Sequence, residues 1–330
     1  MSKGRTKAVK TILITFAAVA AVAAVGVGAV KIYDIQRTQE DRKLLERFGL
    51  YHPVDVGGNK LNVVSYGSDE GHTIVFISGL GVEDMSITYR PMTDILSEDN
   101  RIVFVDRAGY GMSGDTGDKM TADKVVKDYR KALEADGIDG PYVLVAHSLG
   151  GMYATYWESH YPEDIEGVVF LDGTQLREDT FPEGKLVNGH TSSEIFLNGL
   201  GLYRFSIPKA SDIPETKDLN DEEVCSALSY TIGNSTLWNR AMNSEYDLIS
   251  ANCNETWDSI VANDIPKTYI CATWASDTDQ KYIDARNNIL WPYLDKMGNC
   301  NMVLLPGIHL IYEQRPAECA GVIEDLLKRI

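Results

Sequence analysis

The segment Ala146-His147-Ser148-Leu149-Gly150 closes an apolar run, Tyr142–His147, and leads straight into a helix-like stretch that begins at Leu149. A strand that turns into a helix through such a pentapeptide forces its central residue into strained backbone geometry and lifts that side chain clear of the sheet. The residues two places to either side must be small for the turn to close, and Ala146 and Gly150 are small. Ala146 stands where glycine is usual, which removes one methyl group of room. A hydroxyl so placed sits at a helix N-terminus, where unpaired amides and the helix dipole favour developing negative charge. A nucleophile attacking a carbonyl needs such a place, provided that a base and an acid reach it from elsewhere in the chain. The competing reading of the same residues is a turn whose small side chains merely pack strand on helix.

A second pattern, Asp106-Arg107-Ala108-Gly109-Tyr110-Gly111-Met112-Ser113-Gly114, contains Gly-x-Gly-x-x-Gly. Dinucleotide binding would require these glycines to open a helix, with a second strand ending in an acid ~20 residues on. Asp128 has the distance but falls inside Ala122–Ala135, whose pattern is helical. The pattern therefore argues against a nucleotide.

The elements that would position Ser148 alternate along the chain. Short Val- and Ile-rich runs bounded by Gly, Pro or Asp predict strands at Leu61–Tyr66, Thr73–Ser78, Ile102–Asp106, Tyr142–His147, Gly167–Leu171, Lys267–Thr273 and Met302–Leu305. Helices are expected at Met85–Leu96, Ala122–Ala135, Leu149–His160 and Pro316–Lys328. Continuous apolar strands alternating with helices imply an α/β fold, a mostly parallel sheet covered on both faces. Between Asp172 and Ile265 the alternation stops. That interval is rich in Asn, Ser, Asp and aromatic residues, with helical patches near Asp221–Tyr230 and Tyr246–Ala262. It reads as a mostly helical cap (174–265) inserted into a core made of 51–173 and 266–330. The cap aromatics Phe181, Phe196, Phe205, Trp238 and Trp257 suit an apolar pocket wall, although ordinary packing accounts for them equally well.

Laid out in this order, residues from about 55 to 330 resemble the α/β-hydrolase superfamily, and the resemblance implies roles for further residues. Val75-Phe76-Ile77-Ser78-Gly79-Leu80-Gly81 is similar to the family's loop after the third strand, with Ser78 where histidine is more common. The implied oxyanion hole consists of the amides of Leu80 and Leu149, each such donor being worth ~3–4 kcal/mol in the transition state. Leu304-Leu305-Pro306-Gly307-Ile308-His309 resembles the family's last strand and turn, which makes His309 the expected base, with Pro316 opening the final helix. The family's order is serine, acid, histidine. Asp279, after the run Thr268–Thr273 and Trp274-Ala275-Ser276-Asp277-Thr278, is the favoured acid; Asp277 and Asp172 are the alternatives. His147 is expected to pack beside the nucleophile without chemistry, and Tyr153, Tyr156 and Trp157 to lie in the core. The chemistry implied is two-step acyl transfer on a small-molecule acyl substrate, carboxylic esters first, with no metal or organic cofactor. The fold also hosts peptidases, C–C hydrolases and receptors that do not turn over, and analogy does not choose among them. A serine nucleophile sets this chain apart from relatives that attack epoxides or haloalkanes with an aspartate.

Thr11 to Val30 is twenty residues without a charge, preceded by Lys3, Arg5, Lys7 and Lys10. As a helix it covers ~30 Å, the hydrocarbon thickness of a bilayer. Residues 1–10 thus read as a cytoplasmic basic tail, 11–30 as one transmembrane signal-anchor helix, and 31–50 as a polar connector, with the body on the extracytoplasmic side. The alternative is a signal peptide cleaved near Ala18-Val19-Ala20 or Ala21-Val22-Ala23, which leaves a secreted body. Beyond residue 30 the chain carries 27 basic against 48 acidic residues, a balance of −21. That field repels phosphate backbones, so no nucleic-acid partner is expected. Of the five cysteines, Cys271 lies in a strand-like run as a buried thiol, and Cys225 and Cys253 are candidates to pair.

Overall fold

A single helix, α1 (Lys3–Arg47), carries the chain from the basic tail through the apolar stretch and on through the polar connector. No Gly-Pro break separates the two parts. The helix stops where Gly49 adopts φ 69°, with Leu50 N–H donating to the Leu45 carbonyl and Gly49 N–H to that of Glu46. This is a left-handed glycine cap that satisfies the last carbonyls. The computed structural model describes residues 3–82, 85–177, 196–197, 199–205, 227, 239–273 and 280–330.

After α1 come β1 (Pro53–Asp55), β2 (Lys60–Gly67), β3 (Thr73–Ile77), α2 (Met85–Thr88), α3 (Arg90–Leu96) and β4 (Arg101–Val105). They are followed by α4 (Ala122–Ala135), β5 (Tyr142–His147), α5 (Leu149–His160) and β6 (Ile165–Leu171). Within the interval read as a cap lies α6 (Arg240–Ser259); the core resumes with β7 (Lys267–Thr273), α7 (Gln280–Met297), β8 (Cys300–Pro306), α8 (Ile311–Gln314) and α9 (Pro316–Leu327). The strands form one eight-stranded sheet in the order β1-β2-β4-β3-β5-β6-β7-β8. β1 and β2 run antiparallel to their neighbours, and every pair from β4 to β8 is parallel.

Side-chain alternation sends each parallel strand's residues to two cores. Val75, Ile77, Val103, Val105, Leu144, Ala146, Val168 and Phe170 pack under α4, α5, α6 and α7. Ile74, Phe76, Ile102, Phe104, Val143, Val145, Val169 and Leu171 pack under α2, α3, α8 and α9. With both faces covered, the alternation in burial disappears and the strands read as unbroken apolar runs. Tyr153, Tyr156 and Trp157 are buried in the first core, and Cys271 is a buried thiol as expected.

Several expectations are revised. Met85–Leu96 divides at Tyr89, because Pro91 has no N–H for the preceding turn and fixes the start of a new helix. The strand β1 and the helix α7, which contains Pro292, went unpredicted. Cys253 is a free buried thiol, pushed up to about 12 by its burial, so it forms no disulfide with Cys225, which itself lies outside the described residues. The helical patch predicted at Asp221–Tyr230 falls outside them too, apart from residue 227, as do Phe181 and Trp238. Phe196 and Phe205 are exposed, while Trp257 packs against the core with the Lys296 ammonium 4.6 Å from its ring centre.

Candidate active site

Ser78–Leu80 follows β3, Arg107 follows β4, Ser148 follows β5, Asp172 follows β6 and His309 lies just beyond β8. All five strands are parallel, so these residues gather at one edge of the sheet, the carboxyl end where open α/β sheets carry their ligands. Ser148 adopts φ 50°, ψ −122°, a region that L-residues avoid and that a surrounding structure must enforce. The enforcement is visible in its neighbours. A Cβ added at Gly150 would stand 2.3 Å from the Ile77 carbonyl oxygen, and one at Gly79 would stand 2.9 Å from Ser148 Cβ. The Ser148 carbonyl accepts from the amides of Gly151 and Thr174, which ties the turn to the segment after β6.

His309 Nε2 lies 2.8 Å from Ser148 Oγ, and its Nδ1 lies 2.7 Å from Asp172 Oδ2. A neutral ring protonated on Nδ1 satisfies both contacts: it donates to the carboxylate and accepts from the hydroxyl. Asp172 has φ 47°, and its other oxygen accepts from the Ala272 amide at 3.1 Å, so the carboxylate is held from two sides. The favoured acid, Asp279, and its neighbour Asp277 lie outside the described residues. Among the described residues, the carboxylate that reaches His309 is the alternative Asp172, which follows the strand next to that of Ser148. The signal in the sequence was an Asp-Gly pair ending a strand, a feature shared by many turns.

His147 is buried, and its Nε2–H donates to the His309 carbonyl at 3.1 Å. Its ring centre is 4.7 Å from that of His309. Burial, and then the proximity of His309, lower its pKa to about 3, so the ring stays neutral beside Ser148. This matches the packing role expected of it.

Beneath the loop after β3 lies a buried charge pair that the sequence did not disclose. Arg107 is fully buried; one terminal nitrogen donates to the Ser78 carbonyl (2.6 Å) and hydroxyl (2.9 Å), the other to the Gly79 carbonyl (2.9 Å). Its Nε lies 2.9 Å from Glu245 Oε1, a buried carboxylate on α6. Burial acts against the guanidinium's charge, yet Glu245 and the surrounding tyrosines raise its pKa above the ordinary arginine value. Tyr153 donates to Glu245 at 2.7 Å, and Tyr110 donates to it while accepting the Gly81 amide at 3.3 Å. With the carbonyls of Ser78 and Gly79 and the amide of Gly81 all engaged, the loop around Leu80 has a fixed course. Leu149 is the first residue of α5, and a helix's first amides have no partner within the helix. The Gly109–Gly114 run wraps the Asp106 carboxylate, which accepts from the Met112 amide and Asn62 Nδ2. It opens no helix, since α4 begins at Ala122, so the dinucleotide pattern is a turn.

Comparison with known proteins agrees with this architecture. The chain is 27% identical over 327 residues to the uncharacterized protein YbdG of Bacillus subtilis (strain 168), covering 97% of this chain and 98% of that one. Among solved structures it resembles the enol-lactonase from Burkholderia xenovorans LB400, with a TM-score of 0.59 at 16% identity over 84% of this chain and all of the other. It also resembles the thioesterase domain from the curacin biosynthetic pathway, with a TM-score of 0.53 at 18% identity over 83% and 98% of the two chains. At such identities the two structures speak to the fold alone. The model of the α/β hydrolase family matches residues 74–322, most of the chain and every element that carries the site, and the protein belongs to that family.

Proposed function

We propose that this protein is a membrane-anchored serine hydrolase that cleaves carboxylic (acyl) esters through an acyl-enzyme on Ser148. The observation that carries the reading is the bridge made by His309, with one ring nitrogen 2.8 Å from a strained serine hydroxyl and the other 2.7 Å from a carboxylate. His309 takes the hydroxyl proton as Oγ attacks the carbonyl carbon; the carbonyl π pair moves onto oxygen. The amides of Leu80 and Leu149 receive that oxyanion. When the tetrahedral adduct collapses, the alkoxide leaves with the proton held by His309. Water then attacks the acyl-serine with His309 again as base, which releases the acid and restores the hydroxyl. Asp172 fixes the Nδ1–H tautomer throughout and stabilises the imidazolium.

The anchor reading is supported by α1, a helix long and apolar enough to cross a membrane, whose most apolar window is bare of any covering from the body. The basic residues before the span favour a cytoplasmic tail and an extracytoplasmic body. The deciding experiment is fluorophosphonate labelling of the full chain, followed by a screen of acyl esters of graded length. Covalent capture at Ser148 with turnover is expected, and Ser148→Ala should lower activity on an activated aryl ester by at least ~10⁴. Full activity in purified Ser148→Ala protein, or an inert serine in a chain that binds esters without cleaving them, overturns the proposal.

A further inference from the structure

The connector between span and body is a rigid part of the molecule. From Val27 onward, α1 shows a covered stripe at Val27, Val30, Lys31, Asp34, Arg37, Thr38, Asp41, Leu44 and Leu45, the three-and-four spacing of a helix face laid against something. Leu45 reaches a small core with Leu50, Ile87 and Met112. Higher up, Arg204 reaches across with Nε 3.1 Å from Asp34, one terminal nitrogen 2.8 Å from Asp41 and the other donating to the Thr38 hydroxyl at 2.9 Å. Lys31 pairs with Asp34, and Arg37 with Glu40 and Asp41, so three cations face three carboxylates in this seam. The body therefore cannot swing freely about its anchor.

The cover begins inside the apolar stretch. Val22 and Val25 are 74% exposed, but Val27, inside the stretch, and Val30, its last residue, are partly shielded. Tyr33, three residues past Val30, stands ~4.5 Å beyond that end at helical rise. Its ring stacks on Phe205, with centroids 6.0 Å apart. Phe205 is nonetheless 64% exposed, and Phe196, whose carbonyl accepts the Leu200 amide in the turn leading to Gly201, is 65% exposed with Leu197 beside it. Gly201 itself packs on Asp34. Large apolar side chains left bare at the level where a membrane span ends suit burial at the headgroup–acyl boundary, beside the amphipathic ring of Tyr33. The mutual pairing of charges in the seam removes the field that would oppose it.

We propose that the edge of the cap carrying Phe196, Leu197 and Phe205 is a membrane-docking surface, bedded in the interface of the bilayer that α1 crosses. The surface rests on the anchor reading above and is independent of the hydrolase chemistry. The acidic body selects zwitterionic over anionic headgroups.

The test uses the full chain in phosphatidylcholine vesicles, with and without acyl-chain bromines near the headgroup. Emission is compared among the wild type, Phe205→Trp, Phe196→Trp and, as an internal control, Phe48→Trp. Phe48 is 53% exposed and directly follows α1, whose last residue lies ~21 Å from Tyr33 at helical rise. The emission added by F205W and F196W should fall at least twofold with bromolipid and resist aqueous iodide, whereas that added by F48W should show the reverse. Quenching of the first two by iodide like that of F48W overturns the proposal. So does shielding from both quenchers together with crosslinking into dimers, which assigns the patch to a second copy. Alkaline carbonate washing separates the two failures: release of the wild type from vesicles refutes the anchor, while retention with F205W unquenched by bromine refutes the docking surface alone.

Discussion

Asp172 Oδ2 lies 2.7 Å from His309 Nδ1, and Ala272 N–H holds the other carboxylate oxygen at 3.1 Å. Asp172 is thus held by the neighbouring strand β7 as well as by the imidazole. Asp172→Asn keeps the shape but offers an amide where the ring presents its Nδ1 proton, which favours the wrong tautomer. Turnover on an activated ester should fall by ~10⁴, as it does when a buried triad aspartate is neutralised. Asp279→Asn and Asp277→Asn should each retain activity within about threefold. If Asp279→Asn carries the large loss and Asp172→Asn does not, the acid is misassigned.

Arg107 and Glu245 form an ion pair removed from solvent on both sides. Removal of one member leaves the other buried without a countercharge, a loss of roughly 3–5 kcal/mol. Glu245→Ala should therefore lower the denaturant midpoint strongly. In the fraction that remains folded, kcat should fall more than KM rises, because Arg107 and Tyr110 hold the loop that carries Leu80, whose amide is the proposed oxyanion donor. Glu245→Gln, which keeps the side chain's volume and its acceptor oxygen, should recover part of the stability. Unchanged unfolding of Glu245→Ala would contradict the burial of the pair.

Gly79 sits where the loop after β3 passes over the elbow. An added Cβ would lie 2.8 Å from His147 Nδ1 and 2.9 Å from Ser148 Cβ, and neither is the free end of a flexible chain. Gly79→Ala must displace the loop or the elbow by several tenths of an ångström, at about 1–3 kcal/mol of stability. A shift of that kind between nucleophile and oxyanion donors should lower kcat by ~10², with the fold retained by circular dichroism. Wild-type kinetics in Gly79→Ala would show that the loop tolerates more room than the structure gives it.

The elbow was legible because its requirement is local: small residues on either side of a serine between a strand and a helix. The parallel strands were legible for a related reason, since burial on both faces writes an unbroken Val- and Ile-rich run. The acid was less accessible. Asp172 and Asp279 both follow strand-like runs and both satisfy the order serine, acid, histidine, and the pairing of β6 beside β5 that brings Asp172 to His309 is a lateral relation that the linear order does not write. Arg107 and Glu245 were invisible, because a buried ion pair between a strand-end turn and a distant helix leaves no periodic trace in either segment. Phe196 and Phe205 show the converse. Their type suggested a pocket wall, and their exposure beside the end of the apolar span shows that composition alone does not choose which surface an aromatic residue faces.

His147 provides a pH prediction with a definite sign. Its pKa in the folded protein is lowered to about 3 from the ordinary 6.5, first by burial and then by His309. Between those values the unfolded chain binds a proton that the folded chain refuses. Stability contributed by this group is therefore complete above pH ~6.5 and is lost as pH falls toward ~3, with a slope of at most ~1.4 kcal/mol per pH unit. His147→Asn keeps a donor for the His309 carbonyl and removes the titration. Carboxylates act on both proteins alike, so the difference between their unfolding free energies isolates the one group. Measured by urea unfolding from pH 7 to pH 4, the wild type should lose stability more steeply than His147→Asn, by up to one proton's worth of slope. Parallel curves would mean that the ring is accessible to protons in the folded state, and hence that the group beside the nucleophile is wetter than its burial implies.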